Sequence, residues 1–256
     1  IPVGDKTVTT EINQDFTLPD YQPEIKRLLR VDLTTPPPSR YISADGAEFS
    51  GPAHFDILYA GGDGELYSAR LSSEYDFEVP FDADAAGDAE LSEGVTVLSE
   101  IEPESVVGRV LAPRRLGIRS RLRSRTRCFA PCRRGEEIEG LENPASLRRL
   151  TDTGSYAKLL SGVEEAVPLA DEIIPEQKDG EIRVIGADGN VFVREASAVN
   201  DGVDCRGDLI LKLMIGRDGG DGTPEVIIRK LPFSQVVDVE GVSPGWESRA
   251  WGTCND

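Results

Sequence analysis

Residues 45–64 read DGAEFSGPAHFDILYAGGDG and residues 201–220 read DGVDCRGDLILKLMIGRDGG, and the two stretches align without a gap at an offset of 156 residues. After the second glycine of each stretch, apolar residues recur at every second position. This period of two predicts a strand that buries one face. We therefore predict that both stretches form the same strand and bury the same face, through the aligned pairs Gly46 and Gly202, Gly51 and Gly207, Phe55 and Leu211, Ile57 and Leu213, and Tyr59 and Ile215.

Each of these strands runs into a turn rich in Gly and Asp, AGGDGE after the first and GRDGGDG after the second. Such residues tolerate the backbone conformations that a hairpin connection needs. A partner strand follows in both places, as LYSARLS and YDFEVPF in the first copy and PEVIIRKLPFSQVVDV in the second. The repeat predicts a mainly β protein with two tandem β-sandwich-like domains that arose by internal duplication.

A chain of 256 residues is long enough for two domains, each with its own core. We place the first domain at 1–134 and the second, together with a linker, at 135–256. Between about 135 and 167 the alternation gives way to Leu, Ala and Glu, which predicts one or two short helices in the linker. Another short helix is predicted over EIKRLL after Pro23. The second copy lacks a counterpart of the Arg-rich strand of the first, so we expect it to be truncated at its C-terminal end.

The charge of the chain narrows the classes of partner. Its 46 acidic and 28 basic residues give a formal net charge of -18, which repels nucleic acids and anionic membranes. No apolar run approaches the roughly 20 residues that a membrane-spanning helix needs. We therefore expect no nucleic-acid binding and no membrane insertion.

Three features of the first copy resemble a known family. They are DFTLPDYQPEIKRLLRVD from Asp15, the strand Gly-x3-Phe-x-Ile-Leu-Tyr from Gly51, and the charged strand pair that closes the repeat. In the second copy the similar part runs from Gly207 through LPFSQVVDV. These residues resemble the SPOCS domain family of spore-coat morphogenesis proteins in endospore-forming bacteria. The resemblance covers most of the chain as two tandem units, and its motifs are structural patterns without a catalytic signature.

The resemblance implies a non-catalytic structural or adaptor protein of spore coat assembly that acts through protein–protein recognition. Its partners would be other spore-coat morphogenetic proteins, including further copies of the chain. The location it implies is the cytoplasm of the mother cell, at the forming spore coat. On this interpretation the protein is not an enzyme and needs no cofactor.

The most distinctive local chemistry is a pair of ladders of opposite charge. Acidic residues recur at every second position at Glu100, Glu102 and Glu104. If the two segments pair as antiparallel strands, these carboxylates face guanidinium groups, and each exposed pair contributes about 0.2–1 kcal/mol. One interpretation is a solvated structural face; the other is a basic stripe, left partly unpaired, that binds an acidic partner or the acidic face of another copy. The candidate partner-binding residues are Arg119, Arg121, Arg123, Arg125 and Arg127.

Three other patterns predict no site. The pair Cys128 and Cys132 has the spacing of half a zinc site, but the chain holds a single His and its other cysteines are distant in sequence, so we predict no metal. The acidic segment 82–93 matches a calcium loop in several positions but has Ala86 at a ligand position and no flanking helix. His54 and Asp56 share a strand face, yet no nucleophile motif accompanies them.

Carbohydrate binding is the alternative function, with a cell-wall or cortex glycan as ligand. It rests on the analogy that sandwich folds with exposed aromatic residues often bind sugars. The two tryptophans, Trp246 and Trp251, are five residues apart and would lie on opposite faces of a regular strand. They would not form one stacking platform.

Overall fold

The computed structural model describes residues 2–82, 94–131, 159–174, 181–217 and 223–254. These residues form ten strands and no helix, so the mainly β class is confirmed, and none of them belongs to a helix that could cross a membrane. The predicted boundary between 134 and 135 lies outside the described residues and stays a prediction. The strands are β1 (Pro2–Thr17), β2 (Ile25–Thr34), β3 (Ser39–Ile42), β4 (Gly46–Gly61), β5 (Leu66–Pro80), β6 (Thr96–Ala112), β7 (Arg115–Phe129), β8 (Ile182–Val199), β9 (Gly202–Arg217) and β10 (Glu225–Asp238).

The strands form three antiparallel sheets. Sheet A has the order β1, β7, β6; in sheet B the central β4 pairs with β2 and β3 on one side and β5 on the other; sheet C has the order β8, β9, β10. Sheets A and B pack against each other, with β1 beside β5 and β2 beside β6. We call sheets A and B together the first unit, and sheet C with residues 239–254 the second unit.

The core of the first unit lies between its two sheets. Phe55, Ile57 and Tyr59, three of the inward residues of β4, are at most 1% exposed. They meet side chains of sheet A, such as Phe16, whose ring centroid lies 5.6 Å from that of Phe55. The period-two pattern of β4 therefore forms a strand because every second side chain leaves water, and each large apolar side chain buried in this way contributes about 1.5–3 kcal/mol.

The helix predicted over EIKRLL is wrong, because these residues begin strand β2. Two bulges explain the error. The register with β4 shifts between Ile25 and Arg27 and again between Leu28 and Arg30, and each shift leaves one extra residue on β2. The inward apolar residues are therefore three apart at first, at Ile25, Leu28 and Val31. That spacing imitates the helical period.

The paired residues of β2, β3 and β4 in sheet B correspond to paired residues of β8 and β9 in sheet C at an offset of 156. In sheet B, Ser39 pairs with Ser50, and in sheet C the residues 156 positions later, Glu195 and Arg206, also pair. The second bulge of β2 and a bulge of β8 fall at positions that are also 156 apart, between Leu28 and Arg30 and between Val184 and Gly186. The backbone bond from Phe81 N to Asp45 O recurs from Val239 N to Asp201 O.

The second hairpin is two residues longer between paired positions, since Tyr59 pairs with Tyr67 but Ile215 pairs with Glu225. Residues of β10 therefore correspond to residues of β5 that lie 158 positions earlier. Tyr75 of β5 packs on Gly51, and Phe233, its counterpart in β10, packs on Gly207. The glycines make room for an aromatic ring on the neighbouring strand in both sheets.

The inward faces of the two sheets are covered differently. Sheet A covers sheet B, whereas along sheet C the C-terminal segment runs beside β8: Ser248 donates a hydrogen bond to Ala196 O, and Cys254 lies against Gly189. Leu211 and Leu213 are only half-buried, although they were predicted to match Phe55 and Ile57. The same strand face is buried, but to a smaller extent, because no second sheet lies over it in the described residues.

The linker helices are not supported. Residues 159–174 are described and contain neither helix nor strand, while the remainder of the predicted helical region lies outside the described residues. This stretch, which we call the linker segment, carries exposed apolar side chains, among them Val167 and Leu169.

Candidate functional site

The outward face of β7 carries all five predicted arginines. Arg119, Arg121, Arg123, Arg125 and Arg127 alternate with small or apolar residues that face the core, and Ser120, Leu122, Ser124 and Thr126 are at most 1% exposed. Because successive side chains of a strand point to opposite faces, the arginines project into solvent on the face of sheet A away from sheet B. The row is straight and lies on the central strand of the sheet.

Strand β6 supplies one acidic row beside the arginines. Glu100 pairs with Arg125 and Glu102 with Arg123, and the guanidinium of Arg123 lies 3.0 Å from the carboxylate of Glu102. Glu104 falls at a register shift between Pro103 and Ser105 and is opposite no arginine. Two of the three predicted glutamates thus face the ladder.

Strand β1 supplies a second acidic row, which the sequence did not predict. Asp5 pairs with Arg127 and Glu11 with Arg121, and the guanidinium of Arg121 lies 2.7 Å from the carboxylate of Glu11. The Asp15 carboxylate forms an ion pair with the guanidinium of Arg115 at 3.0 Å. The signal that could have revealed this row is the alternation of polar residues along β1, from Asp5 through Thr7, Thr9, Glu11, Asn13 and Asp15 to Thr17.

The pairing of the arginine row is uneven. Arg121 and Arg123, at its centre, each have a carboxylate within ion-pair distance. Arg119 lies between Asn13 and Val107, which carry no charge. Within the described parts of the chain, neither Arg119 nor the pair Arg125 and Arg127 has a carboxylate within 4.0 Å. The row therefore presents its unpaired cations toward its two ends.

A depression of about 530 Å³ lies across the three strands beside Arg123 and Arg125. Its surface combines three carboxylates, two guanidinium groups and one hydroxyl. Such a mixed surface binds a partner through several polar contacts, each placed by a rigid strand. The lining residues are Asp5, Thr7, Glu100, Glu102, Arg123 and Arg125.

A second depression, of about 310 Å³, lies between the two units. The guanidinium of Arg183 lies 4.6 Å from the centroid of the Tyr67 ring. At this distance the positive charge of Arg183 is attracted to the face of the ring. The Tyr67 hydroxyl donates a 2.6 Å hydrogen bond to Asp63, which raises the pKa of Tyr67 and lowers that of the Asp63 carboxyl. Tyr21 and Gln22 line the opposite side.

The pair His54 and Asp56 has other partners. His54 Nδ1 lies 2.9 Å from the Ser72 hydroxyl, and the Asp56 carboxylate is bound by Arg70 at 2.8 Å. Both residues lie on the outward face of β4, away from the core of the first unit. Asp56 is therefore oriented by Arg70 across the strand pair.

Two of the cysteines are core residues. Cys128 and Cys205 are buried, and burial raises the pKa of the Cys128 thiol to about 11. Cys132 and nearly all of the acidic segment 82–93 lie outside the described residues, so the zinc and calcium interpretations are not addressed there. In the part of the chain that is described, no three metal-ligating side chains come together.

The two tryptophans lie in the C-terminal segment, outside any strand, and both are half exposed or more. The expected strand geometry for them therefore does not arise. Comparison with known proteins gave no matching family model, no matching curated protein and no matching solved structure. The likeness to SPOCS domains accordingly stays an expectation from the sequence.

Proposed function

We propose that the chain is a non-catalytic assembly protein of the spore coat in the mother-cell cytoplasm, which holds other coat proteins through the outward face of sheet A. The observation that supports this is the arginine row on β7. It is a rigid, exposed row of five cations in a chain of net charge -18, and three of them lack a carboxylate partner among the described residues.

The arrangement favours recognition over stability. An exposed ion pair contributes only about 0–1 kcal/mol, so the row adds little to folding. A rigid row of charges instead attracts an acidic partner and fixes its orientation. The acidic rows of β1 and β6 limit that attraction to partners whose own charges match the alternation across the three strands.

The proposal includes an origin of the two units by duplication. The shared register, the shared bulge and the shared pairing of a glycine with an aromatic ring support it. A bulge is a specific local feature that related sheets retain, and two sheets of independent origin would not be expected to place it at the same position. The arginine row has no counterpart in the described residues of the second unit, so partner binding would be a property of the first.

The test reverses the three unpaired cations together. The purified chain, immobilised and exposed to a lysate of sporulating cells, should retain coat proteins, and the triple variant with Arg119, Arg125 and Arg127 changed to Glu should lose them. The control changes Lys26, Arg27 and Lys212 to Glu, which alters the net charge equally on exposed positions elsewhere. Both variants should stay folded, although like charges opposite Asp5 and Glu100 should lower the melting temperature of the ladder variant by a few degrees.

Equal retention by the ladder variant and the control would contradict the proposed binding face. Retention of a glycan and of no protein would instead favour carbohydrate binding. In that case the depression beside Tyr21 and Tyr67 is the place to mutate first.

A further inference from the structure

In the first unit, strand β1 lies beside β5. Strand β1 runs antiparallel to it at the corner where the sheets meet: Ser73 Oγ donates a 2.6 Å hydrogen bond to Gln14 Oε1, and Asp82 N donates to Val3 O. From β1, Ile12 and Phe16 enter the core. Strand β1 therefore covers the end of sheet B that β5 would otherwise leave open.

Strand β10, the counterpart of β5, has no such neighbour. It is an edge strand of sheet C, and in the described parts of the chain no strand pairs with its second edge. Its inward residues Leu231 and Phe233 are half-buried. A strand edge with apolar residues beside it is the surface on which another strand is most readily added.

The linker segment precedes β8 in the chain as β1 precedes β2. Ile25 at the start of β2 pairs with Gly61, and Ile182 at the start of β8 pairs with Arg217, so these isoleucines correspond at an offset of 157. Counting back, Ile12 corresponds to Leu169 and Phe16 to Ile173. Ile12 is 6% exposed, whereas Leu169 is 43% exposed. The apolar positions of a β1-like strand are thus present, but Leu169 is exposed and Ile173 is only half-buried.

In its own chain the linker segment lies against the first unit. Gly162 contacts the side chains of Leu98 and Thr96 on β6, and the Glu164 charge acts on the Tyr75 hydroxyl. This part of the segment therefore packs on the first unit. One chain then carries both an uncovered strand edge and an exposed segment suited to it.

The charges of the two elements are complementary. The linker segment contains four acidic residues and no basic one, and the centre of β10 carries Arg229 and Lys230. If the register of Gln14 with Ser73 is transferred to the second unit, Asp171 lies beside Leu231 and Glu172 beside Lys230. Asp171 then lies diagonally across from Arg229, and Glu172 lies beside Lys230, whose ammonium also binds the Asp208 carboxylate at 3.1 Å.

We propose that the linker segment of one copy binds along β10 of a second copy, in the place that β1 takes along β5. The two surfaces are different, so each bound copy leaves its own β10 available, and the association is head-to-tail and extends into chains. The inference rests on the proposed function in treating the chain as an assembly protein, but the contact it describes uses residues other than the arginine row.

The test uses the full chain in sedimentation velocity at increasing concentration. A donor variant changes Val167 and Leu169 to Glu, and an acceptor variant changes Arg229 to Glu; these three side chains are exposed, so folding should persist, and Lys230 is left unchanged because it binds the buried Asp208 carboxylate at 3.1 Å. The unaltered chain should form species larger than a dimer, and each variant should weaken self-association by about tenfold or more. A control with Lys26 and Arg27 changed to Glu should associate like the unaltered chain.

A mixture of the donor and acceptor variants distinguishes head-to-tail association from other kinds of self-association. The donor variant keeps an intact β10 and the acceptor variant keeps an intact linker segment, so an equal mixture should form a one-to-one dimer and nothing larger. Changing Asp171 to Lys in the acceptor variant should restore chains, because the charges of Asp171 and Arg229 are exchanged. A chain that stays monomeric, or association that neither variant alters, would overturn the inference, while the binding of coat proteins by the arginine row would still be measurable.

Discussion

Sheets B and C have the same strand register but different surroundings. In sheet B the inward face lies under a second sheet, and Phe55, Ile57 and Tyr59 are almost completely buried. In sheet C the corresponding face is partly covered by the C-terminal segment, and Leu211 and Leu213 are half-buried. The difference teaches that the hydrogen-bond ladder and the bulges of such a sheet do not depend on the layer that later covers it.

The largest difference between the sheets is expected on truncation of one inward residue. Ile57→Ala should lower the free energy of unfolding by about 2–5 kcal/mol, because it opens a cavity in a closed core. The corresponding change Leu213→Ala should cost only about 1 kcal/mol, because its half-exposed site can relax and admit water. Urea denaturation of the full chain, followed by circular dichroism, measures both values. Equal losses would show that the inward face of sheet C is covered as completely as that of sheet B.

A smaller contrast is expected at the two glycines that pair with aromatic rings. A methyl group at Gly207 would meet the Phe192 carbonyl oxygen and lie 2.6 Å from Phe233, whereas at Gly51 the nearest atom is the Tyr75 hydroxyl at 3.1 Å. Gly207→Ala should therefore cost about 1–3 kcal/mol and Gly51→Ala less. Both tryptophans belong to the second unit, so their fluorescence should change during unfolding at a lower temperature in Gly207→Ala. A larger loss in Gly51→Ala would reverse the comparison.

The smallest effect concerns the one hydroxyl that distinguishes the two aromatic partners, Tyr75 and Phe233. Burial raises the pKa of Tyr75 to about 12, with the Glu164 charge adding to the shift. Because the pKa is higher in the folded chain, the unfolded chain loses the hydroxyl proton first as the pH rises. The contribution of Tyr75 to the free energy of unfolding is therefore complete below about pH 10 and declines toward pH 12. After allowance for solvent, the decline is roughly 1–2 kcal/mol. Tyr75→Phe should remove that part of the decline.

The same variant has a second readout at neutral pH. The Tyr75 hydroxyl is buried without a hydrogen-bond partner among the described residues, so its removal should leave the free energy of unfolding unchanged or slightly higher. Denaturation of the two proteins at pH 7 and at pH 11 separates the effects. If the free energies of unfolding of the two proteins differed by the same amount at every pH, the raised pKa of Tyr75 would be contradicted.

Much of the fold could be predicted because the decisive strands carry a local signal. The alternation at Phe55, Ile57 and Tyr59 lies within five residues, and the Gly and Asp turn that follows is equally local. The arginine row was visible for the same reason. Strand β2 was missed because its two bulges stretch the apolar spacing from two residues to three, which only the register with β4 reveals.

The candidate site was predicted in part. The acidic row of β6 is separated from the arginines by a single turn, so its pairing followed from the sequence, except at Glu104, where a register shift intervenes. The acidic row of β1 lies more than a hundred residues before its partners, as Glu11 and Arg121 show. A contact over that distance leaves no periodic signal near either residue. The same limit applies to the cover of sheet B, because sheet A combines β1, which precedes sheet B in the chain, with β6 and β7, which follow it.

The pairing of β1 with β7 also governs when the first unit can form during synthesis. Pro2 pairs with Phe129, so the strand made first obtains its partner only when the last strand of the unit is made. At roughly 5–20 residues per second, β1 waits about 6–25 s on the ribosome before that partner is synthesised. Sheet B, whose strands are consecutive, can pair during that interval. The nascent chain therefore passes through a stage in which the inward face of sheet B has no second sheet over it.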